Sequence, residues 1–386
     1  MVRLVYMKLI VIGAGILGTS HAIAAIERGH QVIHLERETA ARGATVRNFG
    51  LVWVSGRALF ELDAAQRSRD LWEKIGTDVP GVGFRPCGSV TLIRTAAELA
   101  VAEDVSRRDD AVGRGFHLLG PDDVRRLNPA LRGTYLAGLQ CTRDAAVESR
   151  VALPAIRAHL ARSERYTFTA GREVRSVDTS GNGVRVRDDQ GQSYHADAVI
   201  HCPGAIHNGL TRELAGDLPL RRVRLQMMET APLGEPLTTA IADGDSFRYY
   251  PAFAGPTLDH LAATQPQAPV AGEHRMQLLC VQRQHGGLTI GDTHQYDDDP
   301  DLDAFSFDVT ENPYRHLADT VGELLGRDLP PIVRRWAGVY SQCTDPSLIA
   351  YRREVADGVW LVTGPGGRGM TLGPAIGAAT ADEMNL

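Results

Sequence analysis

One turn near the start of the chain constrains its fold more than any other feature. Residues 8–12 (KLIVI) form an apolar run that reads as a buried parallel strand, and Gly13-Ala14-Gly15-Ile16-Leu17-Gly18 follows without a spacer. An alanine-rich stretch of helical composition then runs to Arg28, where Gly29-His30 stops it, and a second apolar run, 31–35, ends at Glu36. Strand, glycine turn, helix, strand and acidic residue within about 30 positions is the layout of a dinucleotide-binding βαβ unit. Gly13 permits the tight turn, Gly15 lets main chain approach a pyrophosphate, and Gly18 lets the helix pack on its strand. The helix start offers free N–H groups to the phosphates, and Glu36 offers acceptors to a ribose diol. Nothing in this unit chooses between NAD and FAD.

The rest of the chain alternates helical and extended patterns. Residues 88–94 read as a strand, 97–108 and 150–163 as helices, and 172–178, 184–187 and 194–202 as strands; Gly204 follows the last of these, at the sheet edge where ligands collect. Aromatic and β-branched runs at 247–253, 276–282 and 287–291 favour an antiparallel sheet, the natural place for a substrate domain. Residues 358–363 form a further strand that opens into Gly364-Pro365-Gly366-Gly367-Arg368-Gly369-Met370, and a terminal helix begins at Thr371. A second glycine turn feeding a helix N-terminus repeats the anion-binding geometry of the first.

Charge and cysteine usage narrow the function. The 41 basic and 47 acidic residues of this 386-residue chain are interspersed and leave a net charge of −6, which excludes a nucleic-acid partner. No apolar run reaches the ~18 to 20 residues of a membrane span, and a cytoplasmic location is expected. The 5 cysteines lie far apart with no CxxC pair, so neither a disulfide framework, a zinc cage nor a redox dithiol is indicated, and a pyridine-nucleotide disulfide reductase is disfavoured.

Several segments together resemble the FAD-dependent D-amino acid oxidase superfamily, in its glycine oxidase and sarcosine oxidase-like branch. They are GAGILG with Glu36, the segment GATVRNFG (43–50), FRPCGSVTL (84–92), ADAVIHCPGA (196–205) and the late GPGGRGMTLGP (364–374). The RNFG stretch also resembles a subgroup linked to aminophosphonate catabolism. The resemblance implies an α/β chain, α+β overall: a Rossmann-like FAD-binding domain with an inserted antiparallel-sheet substrate domain. Residues 7–86, 145–220 and 332–386 would form the first, and 87–144 and 221–331 the second.

By the same resemblance, Gly13, Gly15, Ile16, Leu17, Gly18, Glu36 and Arg37 hold the ADP half of FAD and the main chain at Val174 contacts adenine. Thr45, Arg47, Asn48, Phe49 and Gly50 lie along the flavin, and Gly366, Gly367, Arg368, Gly369, Met370 and Thr371 face its ring. Amides of that turn and the positive helix end would stabilise the negative charge of reduced flavin. The thiol that binds flavin covalently in sarcosine oxidase-like proteins would fall near Gly338, and the nearest cysteine is Cys343; FAD is therefore expected to be non-covalent.

The implied activity is oxidation of a small anionic primary or secondary amine by hydride transfer to the flavin, with O2 or another electron acceptor completing the cycle. No catalytic dyad is required, and none is evident; His285 and His294 flank a strand expected to pass the flavin and are candidate proton acceptors. Thr289 stands where several relatives carry a lysine that helps oxygen react, and the carboxylate partners of relatives are missing near 338–341 and at Thr371. The substrate's anion must then find other arginines: Arg368 first, then Arg248 beside Tyr249 and Tyr250, with Arg47 and Arg335, and Tyr340 nearby. The competing reading is a flavin-holding assembly subunit whose amine pocket has decayed.

Overall fold

The computed structural model describes residues 6–181, 183–298, 305 and 308–386. Two sheets dominate. The first has six strands in the order Tyr351–Ala356, Val359–Thr363, Ala198–His201, Lys8–Ile12, Gln31–Glu36, Tyr166–Ala170, parallel except for the first of them. Its central strand KLIVI is buried almost throughout, as a parallel strand covered on both faces must be. Helices Ile16–Glu27 and Gly369–Glu383 lie against it, side by side, so that the two ends of the chain meet: Arg28 and Asp382 form an ion pair at 2.5 Å.

The contact between these helices is unusually close because glycine makes it so. A Cβ on Gly377 would stand 2.7 Å from the carbonyl carbon and oxygen of Ser20, and one on Gly373 would stand 2.8 Å from the Ile16 side chain. Across this seam His21 bonds the Leu17 carbonyl at 2.7 Å and the Thr380 hydroxyl at 3.0 Å.

The second sheet has nine strands and is antiparallel but for one parallel pair, Ala240–Ala242 with Ser89–Ile93. The strand Ile332–Cys343, expected with the nucleotide-binding part, instead pairs along Leu220–Pro232 from Leu220↔Cys343 to Thr230↔Ile332. Residues 247–253, read from sequence as extended, form a short helix, Asp245–Tyr249, and a 3-10 turn, Pro251–Phe253. The aromatic run gives no period-2 alternation here: Phe247 points into the core with Phe253, rings 4.8 Å apart, while Tyr249 and Tyr250 both line the cavity described next. No helix among the described residues is long and apolar enough to cross a membrane.

Candidate active site

Between the two sheets lies a cavity of about 1100 Å³. That is at or above the upper end of small-ligand pockets, about 300–1,000 Å³, and leaves room for a long cofactor together with a small substrate. One end is built on the first glycine turn. Gly13 has φ +96°, and a Cβ there would stand 2.3 Å from the Cys202 carbonyl oxygen; a Cβ on Gly18 would stand 1.8 Å from the Gly13 carbonyl oxygen. These glycines are therefore steric requirements of the turn as well as features of a nucleotide cradle. Glu36 closes it, its two oxygens accepting from the N–H of Ala14 at 2.7 Å and of Glu38 at 2.9 Å. Gly15, Ile16, Leu17, Arg37, Val174 and Gly204 line the same end.

The segment 45–50 forms the middle of the wall. Thr45, Arg47, Asn48 and Phe49 line it, whereas Gly50 does not: with φ +71° and its Cα facing the Val147 carbonyl, it makes the turn that presents the others. Arg283, itself buried, donates to the Phe49 carbonyl at 2.5 Å and to Ser149 Oγ at 2.9 Å and so pins the segment from behind. Asn48 spends its amide on the carbonyls of Ala44 and Thr45, both at 3.0 Å. Gly366, Gly367, Arg368, Gly369, Met370 and Thr371 face the cavity from the opposite end of the chain, with the helix start at Gly369. Thr371 accepts from the Trp53 N–H at 2.9 Å, and Trp72 donates to the Met370 carbonyl at 2.7 Å.

The far end is polar in a selective way. Of the arginines proposed from sequence, Arg368 is fully engaged: it pairs with the buried Glu61 and donates to the carbonyls of Pro365 at 2.8 Å and Leu348 at 3.1 Å. Arg248 pairs with Asp245 at 3.1 Å and donates to the Gln265 carbonyl. Arg47 reaches the Ala337 carbonyl at 3.1 Å. Arg335 lies outside the cavity, paired with Glu311 at 3.0 Å, and His285 also lies outside, half-exposed and 3.1 Å from Glu229. Thr289 is buried in its strand, away from the cavity. Tyr250, Tyr340 and His294 do line it.

Sequence reasoning missed Arg57. It is 4% exposed, lines the cavity, has no side-chain hydrogen bond or carboxylate partner, and sits 5.4 Å over the Tyr250 ring. Burial pushes its pKa down, against the attraction of Glu61. Its loop is held by two buried ions: Asp144 accepts from the N–H groups of Val54 at 2.6 Å and Ser55 at 2.9 Å, and Arg114 donates to their carbonyls at 3.3 and 3.2 Å. Only the neighbouring Gly56 hinted at this, since a Cβ there would lie 2.6 Å from the Tyr250 ring.

Six buried polar atoms on residues of the cavity wall lack any hydrogen-bond partner: Trp53 Nε1, Arg57 Nε, His201 Nδ1, Gln277 Oε1, Asp292 Oδ1 and the Tyr340 hydroxyl. Such atoms are rare in folded proteins, and their concentration on one cavity marks a site completed by a ligand. A glycine cradle with a carboxylate at one end and a glycine-turn helix start at the other fits a dinucleotide carrying a redox ring. The FAD dependent oxidoreductase (DAO) family matches residues 8–383. The chain belongs to that family.

The protein is thus an FAD-dependent oxidoreductase. Its fold is shared with glycine oxidase from Bacillus cereus at a TM-score of 0.78, 18% identity and coverage of 98% and 97% of the two chains. Glycine oxidase from Geobacillus kaustophilus gives 0.74 at 18% identity, covering 98% and 94%. Iminodiacetate oxidase from Chelativorans sp. gives 0.75 at 20% identity, covering 98% and 95%. In sequence it is 25% identical over 276 aligned residues to D-amino acid dehydrogenase 2 of Mesorhizobium japonicum, covering 56% of this chain and 66% of that one.

Proposed function

We propose that this flavoprotein oxidises the C–N bond of a small primary or secondary amine that also carries an anionic group, and that Arg57 holds the anion. The observation that carries the reading is the buried guanidinium of Arg57 on the cavity wall with no ion pair of its own, while Arg368 and Arg248 are spent on Glu61 and Asp245. A desolvated arginine without a partner is a site for an anion. Gly13, Gly15, Gly18, Glu36 and Arg37 would hold the ADP half of FAD, and residues 45–49 and 366–371 would flank its ring. Bound there without a covalent link, FAD supplies the hydride acceptor for the substrate's α-carbon, leaving an imine that water hydrolyses. The chain's own residues orient the amine, exclude water and hold its charge: Tyr249, Tyr250 and Tyr340 wall the far end, and Arg57 fixes the anion.

An assembly subunit with a decayed pocket would have no reason to keep a buried, unpaired arginine beside aromatic walls, so the catalytic reading is favoured. The resemblance of RNFG to an aminophosphonate-linked subgroup makes a phosphonate one form of the anion, a carboxylate the other. The test is anaerobic bleaching of the yellow protein by glycine, N-methylglycine, D-alanine, iminodiacetate and 2-aminoethylphosphonate. Reduction by one of them within seconds is expected; persistent oxidised flavin across the panel overturns the reading. Acid should release FAD intact, and an adduct left on the chain would refute non-covalent binding. Oxygen consumption in the same assay decides whether O2 or another acceptor takes the electrons.

A further inference from the structure

We infer that Asp292, backed by His294, binds the substrate's nitrogen opposite Arg57 and takes its proton; this rests on the amine-oxidising reading above.

Asp292 follows the strand Gly287–Gly291, and its backbone is fixed by a pair of hydrogen bonds with Gln277, at 2.7 and 3.2 Å. Asp292 is buried and lines the cavity, and Oδ1 has no partner. No arginine or lysine among the described residues pairs with it. The contact it does make is with His294, whose Nε2 is 3.6 Å from Oδ2.

The state of His294 follows from its other nitrogen. Nδ1 lies 3.0 Å from the Arg275 carbonyl, which only accepts, so Nδ1 carries the hydrogen and the neutral ring turns the Nε2 lone pair towards Asp292. At 3.6 Å the two are in contact without a hydrogen bond, and a lone pair facing the carboxyl favours its protonated form, so Asp292 holds a proton. Burial acts in the same direction, raising the Asp292 pKa well above the carboxylate range and lowering that of His294 to about 4. The groups packed around the pair are Tyr249, stacked on His294 at 4.2 Å, with Tyr250, Tyr296 and Tyr340, and the cation Arg275. All four phenols are pushed above their ordinary pKa by burial, so they stay neutral.

The cavity's far end therefore has two poles. Tyr250 lies between them: Arg57 sits over its ring, and its hydroxyl accepts at 3.2 Å from Gln277, the residue that fixes Asp292. An amine that carries an anion matches this layout, with the anion on Arg57 and the ammonium on Asp292. As the ammonium binds, its charge beside the carboxyl favours the ionised form and the proton held at Asp292 leaves to solvent, while His294 stays neutral with its Nδ1–H on the Arg275 carbonyl. One N–H bond of the ammonium then breaks and an O–H bond forms at Asp292. The nitrogen keeps the electron pair, and no electron leaves the substrate until its α C–H bond is cleaved. A free lone pair on nitrogen is what that cleavage requires.

The test uses the FAD-loaded full chain and its Asp292→Asn and His294→Gln variants. Anaerobic flavin reduction by N-methylglycine and 2-aminoethylphosphonate is followed between about pH 6 and 10. Binding of acetate and ethylphosphonate, which lack the amine, is read from the flavin spectrum. In Asp292→Asn the reduction rate near neutral pH should fall about 100-fold, and the acid limb of the profile should move up by about one unit or more as solvent takes over the deprotonation, while the amine-free anions bind within about two-fold of the parent. An unshifted profile with a rate within about three-fold of the parent overturns the inference and leaves the amine-oxidising reading standing. A parent that no amine reduces overturns both. Should Asp292→Asn fail to retain FAD, His294→Gln decides by the same shift, expected to be smaller in size and equal in direction.

Discussion

Arg57 and Arg368 lie on one wall and respond oppositely to removal, because Arg368 forms an ion pair and Arg57 forms none. Arg57→Ala takes away a desolvated cation without an ion pair of its own, so the melting temperature should hold or rise, while affinity for an anionic amine, read as KM or as the dissociation constant of acetate or ethylphosphonate, should weaken about 10- to 100-fold. Arg368→Ala strands the buried Glu61 and should cost about 3 kcal/mol of stability by chemical denaturation. If Arg57→Ala lowers stability and leaves anion binding intact, the assignment of the anion site fails. This contrast was not legible in the sequence. Among 41 basic residues nothing in periodicity or spacing separates an arginine that meets a glutamate from one that does not, because the separation is made by Glu61 reaching across to residue 368. The geometry of the first glycine turn and of Glu36 was legible, since it is local: a turn, a helix start and a strand end.

At the scale of elements, the close seam between Ile16–Glu27 and Gly369–Glu383 carries the site, because the second helix begins at the turn that faces the cavity. Gly377→Ala places a Cβ 2.7 Å from Ser20 backbone atoms, which have no rotamer to escape into. Overpacking of this kind costs about 1–3 kcal/mol. The expected outcome is a melting temperature lower by several degrees together with faster loss of FAD on dilution, read by flavin fluorescence. Unchanged FAD retention would separate the seam from the site. The terminal helix was readable from composition, but its partner was not. The two misassigned elements fail for related reasons: the run 247–253 is aromatic without alternation, and Ile332–Cys343 has a strand pattern that fits either sheet until Leu220–Pro232 claims it.

Over the whole molecule, the nucleotide-binding half is held by histidines that burial keeps neutral, which makes its stability depend on pH in a defined direction. His21, His34 and His201 are each shifted from 6.5 to about 4 by burial. His21 ties the two terminal helices, and His34 joins the Gly13 carbonyl at 3.1 Å to the Tyr166 hydroxyl at 2.9 Å across adjacent strands. His201 bonds Thr211 at 3.0 Å. Unfolding frees these rings to bind protons at their ordinary pKa, so below about pH 6.5 the unfolded chain holds more protons than the native one. Stability falls as pH drops from about 6.5 and goes on falling until about 4, with each histidine contributing up to about 1.4 kcal/mol per pH unit in that window. Three such groups against a total of about 5–15 kcal/mol are enough to make acidification to about pH 5 shed FAD and lower the melting temperature steeply. His21→Gln, which keeps an amide to bond Thr380 and removes a titrating ring, should flatten the slope of stability against pH by about one proton. A melting temperature that stays level between about pH 7 and 5, or a slope unaltered by His21→Gln, would show that these rings are protonated in the native state and that the seam between the two terminal helices is held in another way.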